Sequence, residues 1–160
     1  MAPWSLQTGQ TVDVCVVYNE SPTNCLPLTV VDAHPGVFTV DGYYAAAWNQ
    51  DGTFNSASNP AMPGTYVTVW ATGLGPISPA QADGAIVGLP LPVNVLPVTM
   101  SWELFTLFGG LRSPITVQYA GPAPFEVAGV SQINFVVPYF SQMTLQAGPA
   151  SCTFQVYVAP

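Results

Sequence analysis

Apolar and polar positions alternate with a period of two along residues 11–18, 26–31, 65–72, 115–119, 132–137 and 153–158. This is the pattern of strands that bury one face. The runs are rich in Val, Thr, Tyr, Phe and Trp, which suit a pleated, half-buried surface. The 17 prolines and 14 glycines punctuate them at short intervals. No window sustains a period near 3.6, and the segment nearest to a helix, residues 101–108, is short and lacks polar relief. Many short strands with regular turn signals predict an all-β chain, an antiparallel immunoglobulin-like β-sandwich with long Pro/Gly-rich loops. Residues 49–64 and 73–92 are expected to be the longest of these loops, wrapped over the sandwich.

The same pattern divides the chain into an N-terminal β-hairpin segment, residues 1–33, and a sandwich body, residues 34–160. Within the hairpin, alternation places Val12, Val14, Val16, Leu26, Leu28 and Val30 on an apolar face. Cys15 shares the opposite face with Asp13 and Val17, and Cys25 shares it with Pro27 and Thr29. Both cysteines flank a turn-like segment, so a cross-strand disulfide is geometrically open to them. Two unpaired thiols of a reducing compartment are the alternative. Cys152 falls in phase with Phe154, Val156 and Val158, which reads as a buried free thiol.

Composition narrows the partners. Only 6% of residues are charged, against about 25% in an ordinary soluble domain. Lysine is absent, Arg112 is the only arginine, and the formal net charge is -7. A nucleic-acid partner requires a basic face to displace counterions, and an anionic membrane surface is disfavoured for the same reason. No stretch approaches about 20 uninterrupted apolar residues, so no membrane insertion is expected. Met1-Ala2-Pro3-Trp4 has neither the basic nor the apolar region of a secretory leader, so an exported chain would be a mature form or a fragment.

Chemistry is sparse. His34, the only histidine, precedes a proline and reads as a turn residue. With no Gly-x-Ser-x-Gly elbow and no recognisable carboxylate pair, neither nucleophilic hydrolysis nor glycoside chemistry is expected, and the chain is read as not an enzyme. One histidine and three scattered cysteines do not make a zinc site. Asn49, Asp51 and Asn55 have a loose calcium-loop spacing without its remaining acids. A hairpin turn, with Asp51-Gly52 at positive φ, is the favoured reading, so no metal and no cofactor is expected. Trp4, Trp48, Trp70 and Trp102 are read first as core packing and second as a platform for stacking sugars. Asn19-Glu20-Ser21 is formally a glycosylation sequon, weakened by Pro22.

A further pattern lies in the order of short motifs. His34-Pro35-Gly36-Val37-Phe38-Thr39 precedes Ala45-Ala46-Ala47-Trp48-Asn49-Gln50-Asp51-Gly52-Thr53-Phe54-Asn55-Ser56. Asn59-Pro60-Ala61, Pro63-Gly64, Ala71-Thr72-Gly73-Leu74-Gly75-Pro76 and Asp83-Gly84 follow. Then come Pro90-Leu91-Pro92, Pro97-Val98, Tyr119-Ala120-Gly121-Pro122-Ala123-Pro124 and Val127-Ala128-Gly129-Val130-Ser131-Gln132-Ile133-Asn134. Over residues 27–158 this order resembles the uncharacterised Solibacter-type C-terminal domain family of secreted acidobacterial proteins. The resemblance implies an exported, β-rich module and no catalytic residues. Phe125-Glu126 departs from the usual glycine, and residues 101–113 are longer and more aromatic than the usual Gly-Gly hairpin.

Together these readings lead to a secreted structural or adhesive surface module, extracellular or at the cell surface, that pairs with copies of itself in a fibre or surface protein. Residues 11–31 look like the closing hairpin of an immunoglobulin-like domain whose earlier strands are absent. Their apolar face is expected either to fold onto the body of the chain or to add to a neighbour's sheet edge. Trp102, Phe105 and Phe108 are expected to contribute to that contact. A carbohydrate-binding module, with surface glycans as partners, and an accessory domain of a secreted hydrolase are the alternatives.

Overall fold

The structure is a computed structural model that describes residues 3, 5–106 and 109–160. Trp4 and Phe108 lie outside the described residues, as does the side chain of Phe105. The described residues are all-β, with no helix among them. They divide into two compact units, Met1–Asp32 and Ala33–Pro160.

The first unit is built on a two-stranded antiparallel pair, β1 (Thr11–Val14) and β4 (Leu26–Thr29). Thr11 faces Thr29, Val12 faces Leu28, and Val14 faces Leu26. The alternating run of residues 11–18 is interrupted after Val14, because Cys15 sits beside Cys25 and the chain turns into a second, smaller ladder. That ladder pairs β2 (Val17–Tyr18) with β3 (Ser21–Pro22). Asn19 and Glu20 close it at φ 48° and 64°. Positive φ at both central residues is the primed turn whose twist matches its flanking strands. The Val16 carbonyl accepts from the Thr23 amide at 2.7 Å, joining the two ladders.

The second unit is a sandwich. Its five-stranded sheet contains β5 (Gly36–Val37), β6 (Ala47–Asn49), β7 (Tyr66–Thr72), β12 (Val117–Pro122) and β13 (Ser131–Val136). The order is β12-β13-β7, with β5 and β6 both pairing along β7. Its four-stranded sheet contains β10 (Val98–Thr106), β11 (Gly109–Ile115), β14 (Gln142–Ala147) and β15 (Ala150–Gln155), in the order β11-β10-β14-β15. A short pair, β8 (Ile77–Ser78) with β9 (Val93–Asn94), bridges the ends of the long 73–92 connection.

The sheets meet over one core. From the five-stranded sheet come Val67, Val69, Ala71, Ile133 and Phe135; from the other come Met100, Met143, Leu145 and Phe154. Alternation is strict, so β7 buries Val67, Val69 and Ala71 while Tyr66, Thr68, Trp70 and Thr72 lie on the opposite face. In the second sheet the rows Trp102–Met143–Phe154 and Met100–Leu145–Cys152 lie side by side. Cys152 is a free thiol packed against the core, as its phase requires.

Two elements differ from the sequence reading. Residues 115–119 do not form one strand: Ile115 ends β11 in one sheet, and Val117 begins β12 in the other. Alternation continues through Thr116, so periodicity alone hides the crossing. Residues 49–64 are less loop-like than expected. Trp48 bridges to Phe54, and Ser56 to Asn59, so the segment folds back as a hairpin on β6.

Candidate functional site

Two surfaces carry the features singled out in the sequence, one in each unit.

In the first unit, Cys15 and Cys25 form a disulfide with Cα atoms 4.3 Å apart, next to the Val14–Leu26 pair. Register therefore brings the cysteines together and pairs Val12 with Leu28 and Val14 with Leu26, while Val16 and Val30 lie beyond the ends of β1 and β4. The apolar face is open. Val14 is 50% exposed, Val16 63%, Leu26 60% and Leu28 46%, with Val12 and Val30 half-buried. Val17 and Tyr18 in the second ladder are exposed as well. Among the described residues, neither strand of the pair is bridged to a further strand along its outer edge.

Trp102 is half-buried and packs against the core of the second unit. Its cross-strand partner is the fully buried Met143, and its ring packs against Phe140 with centroids 4.5 Å apart. It is in phase with Met100, so it turns toward the core. Arg112 lies on the same hairpin, where its Nε donates to Ser101 Oγ at 2.8 Å and approaches Glu103 Oε1 at 3.4 Å.

The second surface is an open cleft of about 600 Å³ on the outer face of the five-stranded sheet. Pairing builds its floor. Trp48 lies across from Thr68, which lies across from Asn134, while Trp70 lies across from Gln132. Tyr66 and Gln118 complete the lining from β7 and β12. Trp48 is 45% exposed, and its indole meets the Phe54 ring edge-on at 6.2 Å. Gln132 donates its Nε2 to Asn134 Oδ1 at 3.0 Å, leaving Gln132 Oε1 and Asn134 Nδ2 without a protein partner among the described residues. No lining residue is charged.

The cleft wall is the hairpin of Asn49, Asp51 and Asn55, and it is built as a turn. The Gly52 amide donates to the Asn49 carbonyl at 2.9 Å, and the Asn49 amide donates to the Thr53 carbonyl at 2.8 Å. Within this hairpin positive φ falls on Gly52 alone, at 79°, where the sequence predicts it at both Asp51 and Gly52. Three loop residues with glycine in the left-handed position close the hairpin through a bulge, so only one residue needs that conformation. The Asp51 carboxylate accepts from the Thr53 hydroxyl at 2.6 Å and the Thr53 amide at 3.0 Å. These bonds hold its pKa below the ordinary 3.8, the hydroxyl contributing most. Asn55, 1% exposed, turns inward to the backbone of Tyr157 and to Asn49. The three side chains thus satisfy turn and strand groups. Among the described residues no group of three or more His, Cys, Asp or Glu could hold a metal ion.

His34 is exposed beside buried Pro35, and its amide donates to the Gly73 carbonyl at 2.9 Å. It is the strand-connection residue its sequence position suggested. No helix among the described residues is long and apolar enough to cross a membrane.

Comparison with family models, with curated proteins and with solved structures finds no match to the chain.

Proposed function

We propose that the chain is a secreted structural and adhesive surface module that associates with copies of itself through the hairpin of its first unit. The observation that carries this reading is the open apolar row Val14, Leu26 and Leu28 on a disulfide-locked strand pair. A two-stranded hairpin is marginal in water unless its apolar face is covered. Its edges offer unpaired backbone groups, the feature used in β-strand addition. Lysine, the residue that most often blunts such an edge, is absent from the chain. Head-to-tail addition of one copy's hairpin to the next builds a filament wherever the contact does not close into a ring.

Export is supported by the disulfide, since such bonds persist in oxidising compartments. The likeness of residues 27–158 to the Solibacter-type C-terminal domains of secreted proteins supports the same compartment. The reading assigns the chain no catalytic role.

Size-exclusion chromatography with light scattering, run over a hundredfold concentration range, tests the proposal. The full chain is expected to grow in mass with concentration, and Val14→Asp with Leu28→Asp is expected to hold it at one chain's mass. A full chain that stays monomeric throughout, or assemblies unaffected by the double substitution, would refute it.

A further inference from the structure

We infer that the cleft on the outer face of the five-stranded sheet is a binding site for an uncharged hexose oligosaccharide. This inference is independent of the hairpin and concerns residues of the second unit alone.

The aromatic residues are the first argument. Core formation already consumes Val67, Val69 and Ala71 on the inner face of β7. Trp70 and Tyr66 occupy the outer face, and Trp48 reaches it from β6. Nothing in the core calls for two indoles there. Large rings grouped on a solvent-facing surface mark a binding site more often than a structural need. An aromatic face offers a flat apolar platform with a polar edge. A pyranose ring has the complementary form, with C–H groups on its faces and hydroxyls around its rim.

The amides are the second argument. Gln118, Gln132 and Asn134 stand beside the indoles, from β12 and β13. Each amide presents both donors and acceptors, matching hydroxyls that also do both. The Gln132–Asn134 bond fixes two of them relative to each other, and leaves one acceptor and one donor to pair with a hydroxyl. Gln50 is held at the rim, where its Oε1 accepts from the Tyr66 amide at 3.1 Å. Pre-set polar groups lower the ordering cost of binding.

Charge selects the ligand class. With no Lys, Arg, Asp or Glu in the lining, the cleft has no counter-ion for a phosphate, a uronic acid or a charged peptide. Its volume, about 600 Å³, lies within the range of ligand sites. Its open form fits a chain lying across the strands. A proline-rich peptide also docks on aromatic grooves, but it presents a single carbonyl per residue and would leave most amide donors and acceptors unmatched.

The test is titration of the full chain with cellohexaose, laminarihexaose and mannohexaose, followed by tryptophan fluorescence and calorimetry. Tri-galacturonic acid and a deca-proline peptide serve as the charged and peptide counterparts. At least one neutral hexasaccharide is expected to bind saturably. Trp48→Ala and, separately, Gln118→Ala are each expected to weaken it by about tenfold or more, a typical cost of losing one stacked or hydrogen-bonded contact. Tyr139→Ala, 82% exposed and outside the cleft lining, is expected to leave binding unchanged. Both lining residues are exposed, so circular dichroism should show the variants folded. The inference is overturned by no binding of any neutral hexasaccharide, by binding indifferent to both substitutions, or by preference for the deca-proline peptide or the uronic acid.

Discussion

Asn55 grips the backbone of Tyr157 in both directions: its Nδ2 donates to the Tyr157 carbonyl at 2.8 Å, and its Oδ1 accepts from the Tyr157 amide at 2.8 Å. A buried amide side chain here does the work of a strand partner, although the two residues are 102 positions apart. Removing it would leave a backbone donor without its partner in a region shielded from water. Asn55→Ala is expected to destabilise the sandwich by about 3 kcal/mol, measured by urea denaturation. A loss below about 1 kcal/mol, the net worth of an ordinary hydrogen bond, would show that water replaces the amide.

Gly73 has a different constraint. It adopts φ +73°, and a Cβ placed there would strike the His34 carbonyl. Gly73→Ala is therefore expected to cost about 2–3 kcal/mol through backbone strain and displacement of the 34–73 contact. A thermal melt within a degree of the parent would contradict it.

Asp51 provides a pH test. Its folded pKa is lowered, chiefly by the Thr53 hydroxyl and then by the Thr53 amide. A depressed acid stabilises the fold above its unfolded pKa and loses that contribution as pH falls through the folded value. Local stability of the 49–55 hairpin is therefore expected to decline below about pH 4. In Thr53→Val the Asp51 midpoint, followed by carboxyl NMR, should rise toward 3.8. An unchanged midpoint would show that the Thr53 hydroxyl does not lower it.

The disulfide should act locally. Closing the short loop between Cys15 and Cys25 contributes about 2–3 kcal/mol by constraining the unfolded chain. Cys15→Ser is expected to raise amide exchange in β1 and β4 while leaving β7 and β13 unchanged. Faster exchange in all four strands would mean that the two units unfold together.

Cys152 should be a sluggish nucleophile. Burial raises its pKa, only partly opposed by a backbone hydrogen bond at Val37. The thiolate is the reactive form, so native Cys152 is expected to be alkylated by iodoacetamide at pH 8 at least about tenfold more slowly than in urea. Equal rates would place the thiol in solvent.

The strands were legible where alternation and turn residues agreed, as in β7 and β13. Shared facing left the Cys15–Cys25 bond open in the sequence, and the hairpin register that opposes the two residues decides it. The crossing at Thr116 was hidden because alternation is indifferent to which sheet a strand joins. The cleft was illegible as a whole, because its residues come from four strands whose order no local pattern reveals. Part of the signal was present. Trp70 is in phase with Thr68 and opposed to Val67 and Val69, which marks it as outward; Trp102 is in phase with Met100, which marks it as inward. Treating all tryptophans as one group concealed that difference.

The grip of Asn55 on Tyr157 also has a mechanical side. The Tyr157 carbonyl accepts from the Ala61 amide at 2.9 Å, and the Ala159 amide donates to the Ala61 carbonyl at 2.8 Å, in a parallel bridge of Ala61 with Val158. A pull along the segment after Val156 loads these bonds together in shear, where they must break at once, instead of peeling them one by one. The same tension passes through Asn55 to Asn49, in the hairpin that walls the cleft, so a load on that segment is shared between core and cleft wall.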